Sequence, residues 1–161
     1  MGMNNLGKTV LVSALIVGGA VSSFFLLRLV VSAISPRPGN LGVQNGVLAP
    51  CPSYPNCVSS QATGEVRAVE PIPYAMALED ARARILHIIH TIPRSTVVIA
   101  DDDYIHAEFR TSGLRHTDDV EFYFDEESHL IEMRSAARLP YYDFQVNRRR
   151  AEFFRDAFLL E

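Results

Sequence analysis

YIHAEFRTSGLRHTDDVEFYFDEESHLIEMRS, residues 104–135, alternates apolar and polar side chains in three runs separated by turn-forming residues. Ile105, Ala107, Phe109, Val120, Phe122, Phe124, Ile131 and Met133 fall on one side of a period of two. Tyr104, His106, Glu108, Arg110, Asp119, Glu121, Tyr123, Glu132 and Arg134 fall on the other. A period of two is the mark of a half-buried strand, so the runs Tyr104 to Arg110, Asp119 to Asp125 and His129 to Ser135 predict three strands. Thr96 to Ala100 predicts one more before them, cut off by Asp101-Asp102-Asp103. The connections are too short for crossovers, so sequential strands must be antiparallel neighbours.

Helical periods flank this meander. Between residues 74 and 92, Leu78, Ala81, Ile85, Ile88, Ile89 and Ile92 form one stripe. Pro73 suits a first turn, and Glu79 and Asp80 favour the positive end of the helix dipole. A second helix is expected over Phe144 to Leu160, with Val146, Phe153, Ala157 and Leu160 on its apolar side. The expected fold is a two-layer α+β domain: a four-stranded antiparallel meander, two helices on its apolar face, and a strongly polar opposite face.

Upstream lies a segment of a different kind. Thr9 to Leu27 contains no charged residue, and across Arg28 the apolar stretch from Val10 to Val31 is 22 residues long. As a helix this is roughly 33 Å, enough to cross a hydrocarbon core of about 30 Å. Arg28 near its end can reach the headgroups. Val31-Ser32-Ala33 also fits a signal-peptide cleavage site, but the apolar stretch is longer than such peptides carry. Leu6 stands where a myristoylation signal opening at Met1-Gly2 needs Ser or Thr. Lys8 on one side and Arg28 and Arg37 on the other leave the positive-inside rule without a clean vote. The expected organisation is an anchor over 1–33, a Pro-, Gly- and Asn-bearing spacer over 34–47, and a soluble domain over 48–161.

From Ile34 to Glu161 there are 13 Arg, no Lys and 19 acidic residues, a net charge of −6. That balance argues against nucleic acid as a partner, which needs a cationic footprint. Two cysteines are too few for a disulfide scaffold or a four-cysteine zinc site. Cys51 and Cys57 most simply form a small-loop disulfide, which places the domain outside the cytoplasm. A catalytic thiolate would need a neighbour to lower its pKa, and metal ligation usually uses a closer pair. His87 and His90 have metal-compatible spacing but fall opposite the apolar stripe, and His106 reads as a surface residue beside Glu108. Asp101-Asp102-Asp103 lacks the spacing of a calcium loop. No GxGxxG, Walker A, HExxH or GxSxG pattern occurs, and no cofactor or metal is expected.

Arg150 falls inside the apolar side of the second helix, where a guanidinium must be paired or reach past the helix edge. Asp119, Glu121 and Asp143 are its candidate partners. Arg134, Arg138, Arg148 and Arg150 are expected to form one polar network with Asp119, Glu121, Asp143 and Asn147, either structural or ligand-binding.

Four motifs occur in order: Cys51-Pro52-Ser53-Tyr54-Pro55-Asn56-Cys57-Val58-Ser59-Ser60, Asp118-Asp119-Val120-Glu121-Phe122, Arg134-Ser135-Ala136-Ala137-Arg138, and Val146-Asn147-Arg148-Arg149-Arg150. Together they resemble the domain of unknown function 1499 family, from about Leu48 to the end. The resemblance implies one fold unit and, for many members, an envelope or lumenal location; it implies no catalytic activity. Leu139-Pro140-Tyr141-Tyr142-Asp143-Phe144-Gln145 departs from that pattern, where Gly and Ser-Asp commonly follow.

Three functions fit these residues. The first is a membrane-tethered extracytoplasmic module, binding or structural, that contacts the bilayer through residues 10–31 and takes a protein or small anionic ligand. The second is a hydrolase-like enzyme using Asp119 and Glu121, with Arg134 and Arg138 gripping an anionic substrate. The third is a small-molecule or metal carrier using the polar sheet face.

Overall fold

The computed structural model describes residues 4–113, 116–139 and 143–160. In chain order the elements are α1 (Asn5–Ala33), β1 (Val43–Gln44), β2 (Val47–Leu48), β3 (Cys57–Ser59), β4 (Ile72–Pro73), α2 (Leu78–Thr91), β5 (Ser95–Ala100), β6 (Tyr104–Arg110), β7 (Thr117–Asp125), β8 (Leu130–Ala137) and α3 (Val146–Leu160). The Asn4 side chain caps α1 by accepting from the Gly7 N–H at 2.9 Å. This helix is long and apolar enough to cross a membrane, and its large apolar residues face outward apart from Val31 near its end.

Strands β5 to β8 form the expected antiparallel meander, but the sheet has six strands, in the order β3-β8-β7-β6-β5 with β4 also on β8. β3 pairs with the far half of β8, Cys57 opposite Ala136, and β4 with the near half, Ile72 opposite Ile131. Elements of two and three residues are too short to display a period. Pro73 therefore ends a strand, and α2 starts later than the sequence suggests, at Leu78.

The apolar sheet face meets both helices. Ala81, Ile85, Ile88 and Ile89 of α2 are buried, as their stripe predicts. On α3 the buried residues are Asn147, Ala151, Phe154 and Phe158, whereas Phe153 and Leu160 are exposed. The apolar side thus lies one residue round from the expected stripe, because the polar Asn147 turns inward. Phe154 packs edge-on against Phe122 at 4.8 Å and against Phe109 at 5.9 Å, filling the centre of the core.

The opposite face is also covered. Residues 34–47, read in the sequence as a spacer, run over it as a strap and, with Leu48, fold into the β1–β2 hairpin. Asn45 and Gly46 both take positive φ in its turn, the pairing that a tight hairpin favours. Gln61 ties the hairpin down, accepting from the Leu48 N–H and donating to the Gly46 carbonyl. Tyr104, His106, Glu108, Asp119, Glu121 and Arg134 are consequently buried.

Candidate functional site

Cross-strand pairing sets Glu108 of β6 opposite Asp119 of β7, His106 opposite Glu121, and Glu121 opposite Arg134 of β8. Neighbours on one face of a sheet lie within bonding reach, so ions at these positions must compensate one another. Arg138, just past β8, donates to both oxygens of Asp119 at 2.7 and 2.8 Å and to Glu108 at 2.6 Å. Arg37 of the strap and Arg110 of β6 also reach Glu108, at 2.7 and 2.8 Å. His106 Nε2 lies 2.8 Å from Asp119 Oδ1, while its buried Nδ1 has no partner among the described residues. The carboxylate can only accept, so the ring proton sits on Nε2. Buried and bonded to Asp119, His106 is not the surface residue its sequence position suggests.

Glu121 is fully enclosed. Its Oε1 accepts from the Tyr104 hydroxyl and the Gly42 N–H, both at 2.8 Å, and its Oε2 from Arg134 at 2.7 Å. Burial disfavours charge on Glu108, yet the hydrogen bonds from Arg37 and Arg138 outweigh it and hold this carboxyl at about 2. Asp119 is lowered in the same way: burial opposes, and Arg138 and His106 prevail. Burial and the adjacent Glu121 carboxylate push the Tyr104 hydroxyl up.

A second network occupies the other side of the sheet. Arg150 Nη2 donates to Asp118 Oδ2 at 2.7 Å, and its Nη1 to Asn147 Oδ1 and Ser135 Oγ. The guanidinium also lies 5.0 Å from the centre of the Phe109 ring. Asn147 donates to Asp143 Oδ2 and to the Asn56 carbonyl, and Asn56 Nδ2 donates to the carbonyls of Ala137 and Leu139. Here burial wins over Arg150 and raises the Asp118 carboxyl.

The eight residues expected to form one network are therefore divided. Asp119, Glu121, Arg134 and Arg138 lie on the strap side; Asp143, Asn147 and Arg150 lie on the helix side. Arg148 joins neither and clamps the carbonyls of Glu65, Val66 and Ala68 at 3.0 Å. Arg150 takes Asp118 in place of the three acids proposed for it. Alternation signals this, since Asp118 shares the face of Val120 and Phe122. Glu108, His106, Arg37 and Arg110 are further members that the sequence did not single out as a site.

Cys51 and Cys57 form a disulfide, with Cα atoms 5.6 Å apart. His87 and His90 are exposed, and among the described residues no three His, Cys, Asp or Glu side chains gather as metal ligands. Where the strap leaves α1, a cavity of about 520 Å³ opens beside the first network. Arg28, Arg37, Arg110 and Arg138 all line it.

The family described as a protein of unknown function, DUF1499, matches residues 47–158. The chain belongs to DUF1499. No match is found among curated proteins. The four motifs of the DUF1499 domain converge in space: Cys57 to Ser59 pair with Arg134 to Ala136, Asn56 accepts from Asn147, and Arg150 bonds Asp118. Of the divergent stretch Leu139 to Gln145, residues 140–142 lie outside the described residues. The DUF1499 match begins after Arg37 and Gly42, so the strap that closes the first network lies outside it.

Proposed function

We propose that this protein is a single-pass, membrane-tethered extracytoplasmic binding module, anchored in the bilayer through residues 10–31 and without catalytic activity. The hydrogen bonding of its carboxylates carries this reading. The oxygens of Glu121 are taken by Tyr104, Gly42 and Arg134, and those of Asp119 by Arg138 and His106. Each of these carboxylates thus has three of its roughly four lone-pair sites taken, and burial at 0% and 1% exposure leaves it no path to a substrate. The arginines on the open side keep cationic surface at the cavity, which supports a small anionic ligand over a protein or nucleic-acid partner. The Cys51–Cys57 bridge supports an oxidising, extracytoplasmic location, and the outward-facing apolar surface of α1 supports the anchor.

The test uses the full chain in its native cells. The expected outcome is recovery in the membrane fraction after alkaline carbonate washing, with both cysteines unreactive to a membrane-impermeant maleimide until a reductant is added. Recovery of the uncut chain in the aqueous fraction, or immediate labelling of both thiols, refutes the reading.

A further inference from the structure

The cavity at the end of α1 has two unlike walls. One is cationic: it carries the guanidinium groups of Arg28, Arg37, Arg110 and Arg138, of which the last three bond two carboxylates, Glu108 and Asp119, leaving a surplus of two positive charges. Arg28 pairs with no carboxylate among the described residues, and its guanidinium rests on the rings of Phe24 and Phe25. Arg37 and Arg110 are about half exposed, so each can turn a face to the cavity while bonded to Glu108. The other wall is apolar, formed by Phe25 and Leu29 near the end of the apolar helix. Between the walls lies Ser35, 6% exposed, whose hydroxyl has no hydrogen-bond partner among the described residues.

Planar guanidinium groups match a phosphate oxyanion, and a buried hydroxyl without a partner offers one more donor. Free phosphate would be served by the cationic wall alone. Phe25 and Leu29 continue onto the outer surface of α1, where acyl chains run in a bilayer. We propose that this cavity binds the phosphate of an anionic glycerophospholipid, with the headgroup among the arginines and the chains along α1. The proposal rests on the reading of α1 as a membrane anchor. The site is built from both parts of the chain: α1 and the strap supply Arg28, Ser35 and Arg37, and the DUF1499 domain supplies Arg110 and Arg138.

The full chain, purified in a non-ionic detergent, is mixed with equimolar phosphatidylglycerol and phosphatidylcholine, and retained lipid is counted by native mass spectrometry. Wild type is expected to retain phosphatidylglycerol selectively. Arg28→Gln and Arg110→Gln are each expected to lower that selectivity about fivefold, the scale of one arginine at an anionic surface. Arg149→Gln, remote from the cavity, controls for general charge, and near-ultraviolet circular dichroism confirms that each variant is folded. Equal retention of the two lipids by wild type, or equal selectivity in wild type and both cavity variants, overturns the proposal. Protection against heat by millimolar inorganic phosphate, lost in Arg110→Gln and unaccompanied by lipid selectivity, assigns the site to soluble phosphate and overturns the lipid occupant. The anchor reading fails by a separate observation, a wild-type chain that stays soluble without detergent.

Discussion

Replacing Arg150 with Met isolates the ion pair on the helix side of the sheet. Asp118 and Arg150 have side-chain exposures of 6% and 13%, and their contact is 2.7 Å. Met keeps most of the stem's packing but leaves the Asp118 carboxylate buried without its counter-charge, a loss of about 3–5 kcal/mol. The contact with the Phe109 ring is lost as well, about 0.5–1 kcal/mol at a partly exposed site. Asp118→Asn is milder, because Arg150 keeps Asn147 and Ser135 as acceptors and can reach water, and about 1–2 kcal/mol is expected. The double variant Asp118→Asn/Arg150→Met removes both charges together and should be more stable than Arg150→Met alone. All six tyrosines lie after residue 50, so the tyrosine signal in near-ultraviolet circular dichroism follows the head and not α1, whose aromatic residues are Phe24 and Phe25. For a head of this size the combined Arg150→Met deficit, about 3.5–6 kcal/mol, corresponds to a melting point lower by roughly 14–24 °C. The pH dependence supplies a second check. Asp118 already has a raised folded-state pKa, and losing Arg150 raises it further, so the penalty is complete above that value. It shrinks as pH falls toward the unfolded value near 3.8, because protonation neutralises the stranded group. An Arg150→Met deficit below 1 kcal/mol at pH 7, or one unchanged between pH 7 and pH 4, would refute the argument.

Glu108 and Asp119 on the strap side behave oppositely, since both are lowered. Glu108 is held at about 2 against an ordinary 4.5, so its contribution is present above pH 4.5 and drains away as pH falls toward 2. Glu108→Gln should lower the melting point at pH 7 and flatten the acid limb between pH 4.5 and 2.5; acid limbs parallel to wild type would sink this. Gly42 has φ +112° with open space where a Cβ would sit, so Gly42→Ala should cost about 1 kcal/mol through the backbone alone. Loosening of its N–H bond to Glu121 should then speed thermolysin cleavage at Leu41, Val43 and Val47 several-fold, while an unchanged rate would show that Gly42 does not hold the strap.

The meander was legible because three runs of seven residues each repeat the period several times and Thr96 to Ala100 adds a short apolar run bounded by turn residues, and α2 because its isoleucines recur at three and four. β3 and β4 were hidden by brevity. The start of α2 was obscured by Pro73, whose fixed φ suits a strand end as well as a first helical turn. The buried polar networks were half legible. Alternation correctly placed His106, Glu108, Asp119, Glu121 and Arg134 on one face, but it cannot say what lies over that face. That depended on the strap, whose Pro, Gly and Asn residues have the composition of a flexible spacer. The Asp118–Arg150 pair had the clearer signal, because each charge interrupts an apolar stripe and the two stripes face the same core. Reading α3 one residue out of phase turned Arg150 toward the wrong strand neighbours.

The strap also bears on how the head sits relative to α1. Only three residues separate Ala33, the last of the helix, from Arg37, so Arg37 lies at most roughly 14 Å along the chain from the helix end. Arg37 bonds Glu108 on β6, and Gly42 bonds Glu121 on β7, so the strap is fastened at two points on neighbouring strands. An exposed ion pair contributes little, but peeling this strap would strip hydrogen bonds from two buried carboxylates, at about 1–3 kcal/mol each. A freely jointed spacer would let the head tumble and would present any of its faces to a membrane. A strap fastened to β6 and β7 presents one, the face that carries Arg110 and Arg138, and holds it against the end of the apolar helix. The cationic cavity is thereby fixed beside α1 by the fold itself, without any contribution from the lipid it is proposed to bind.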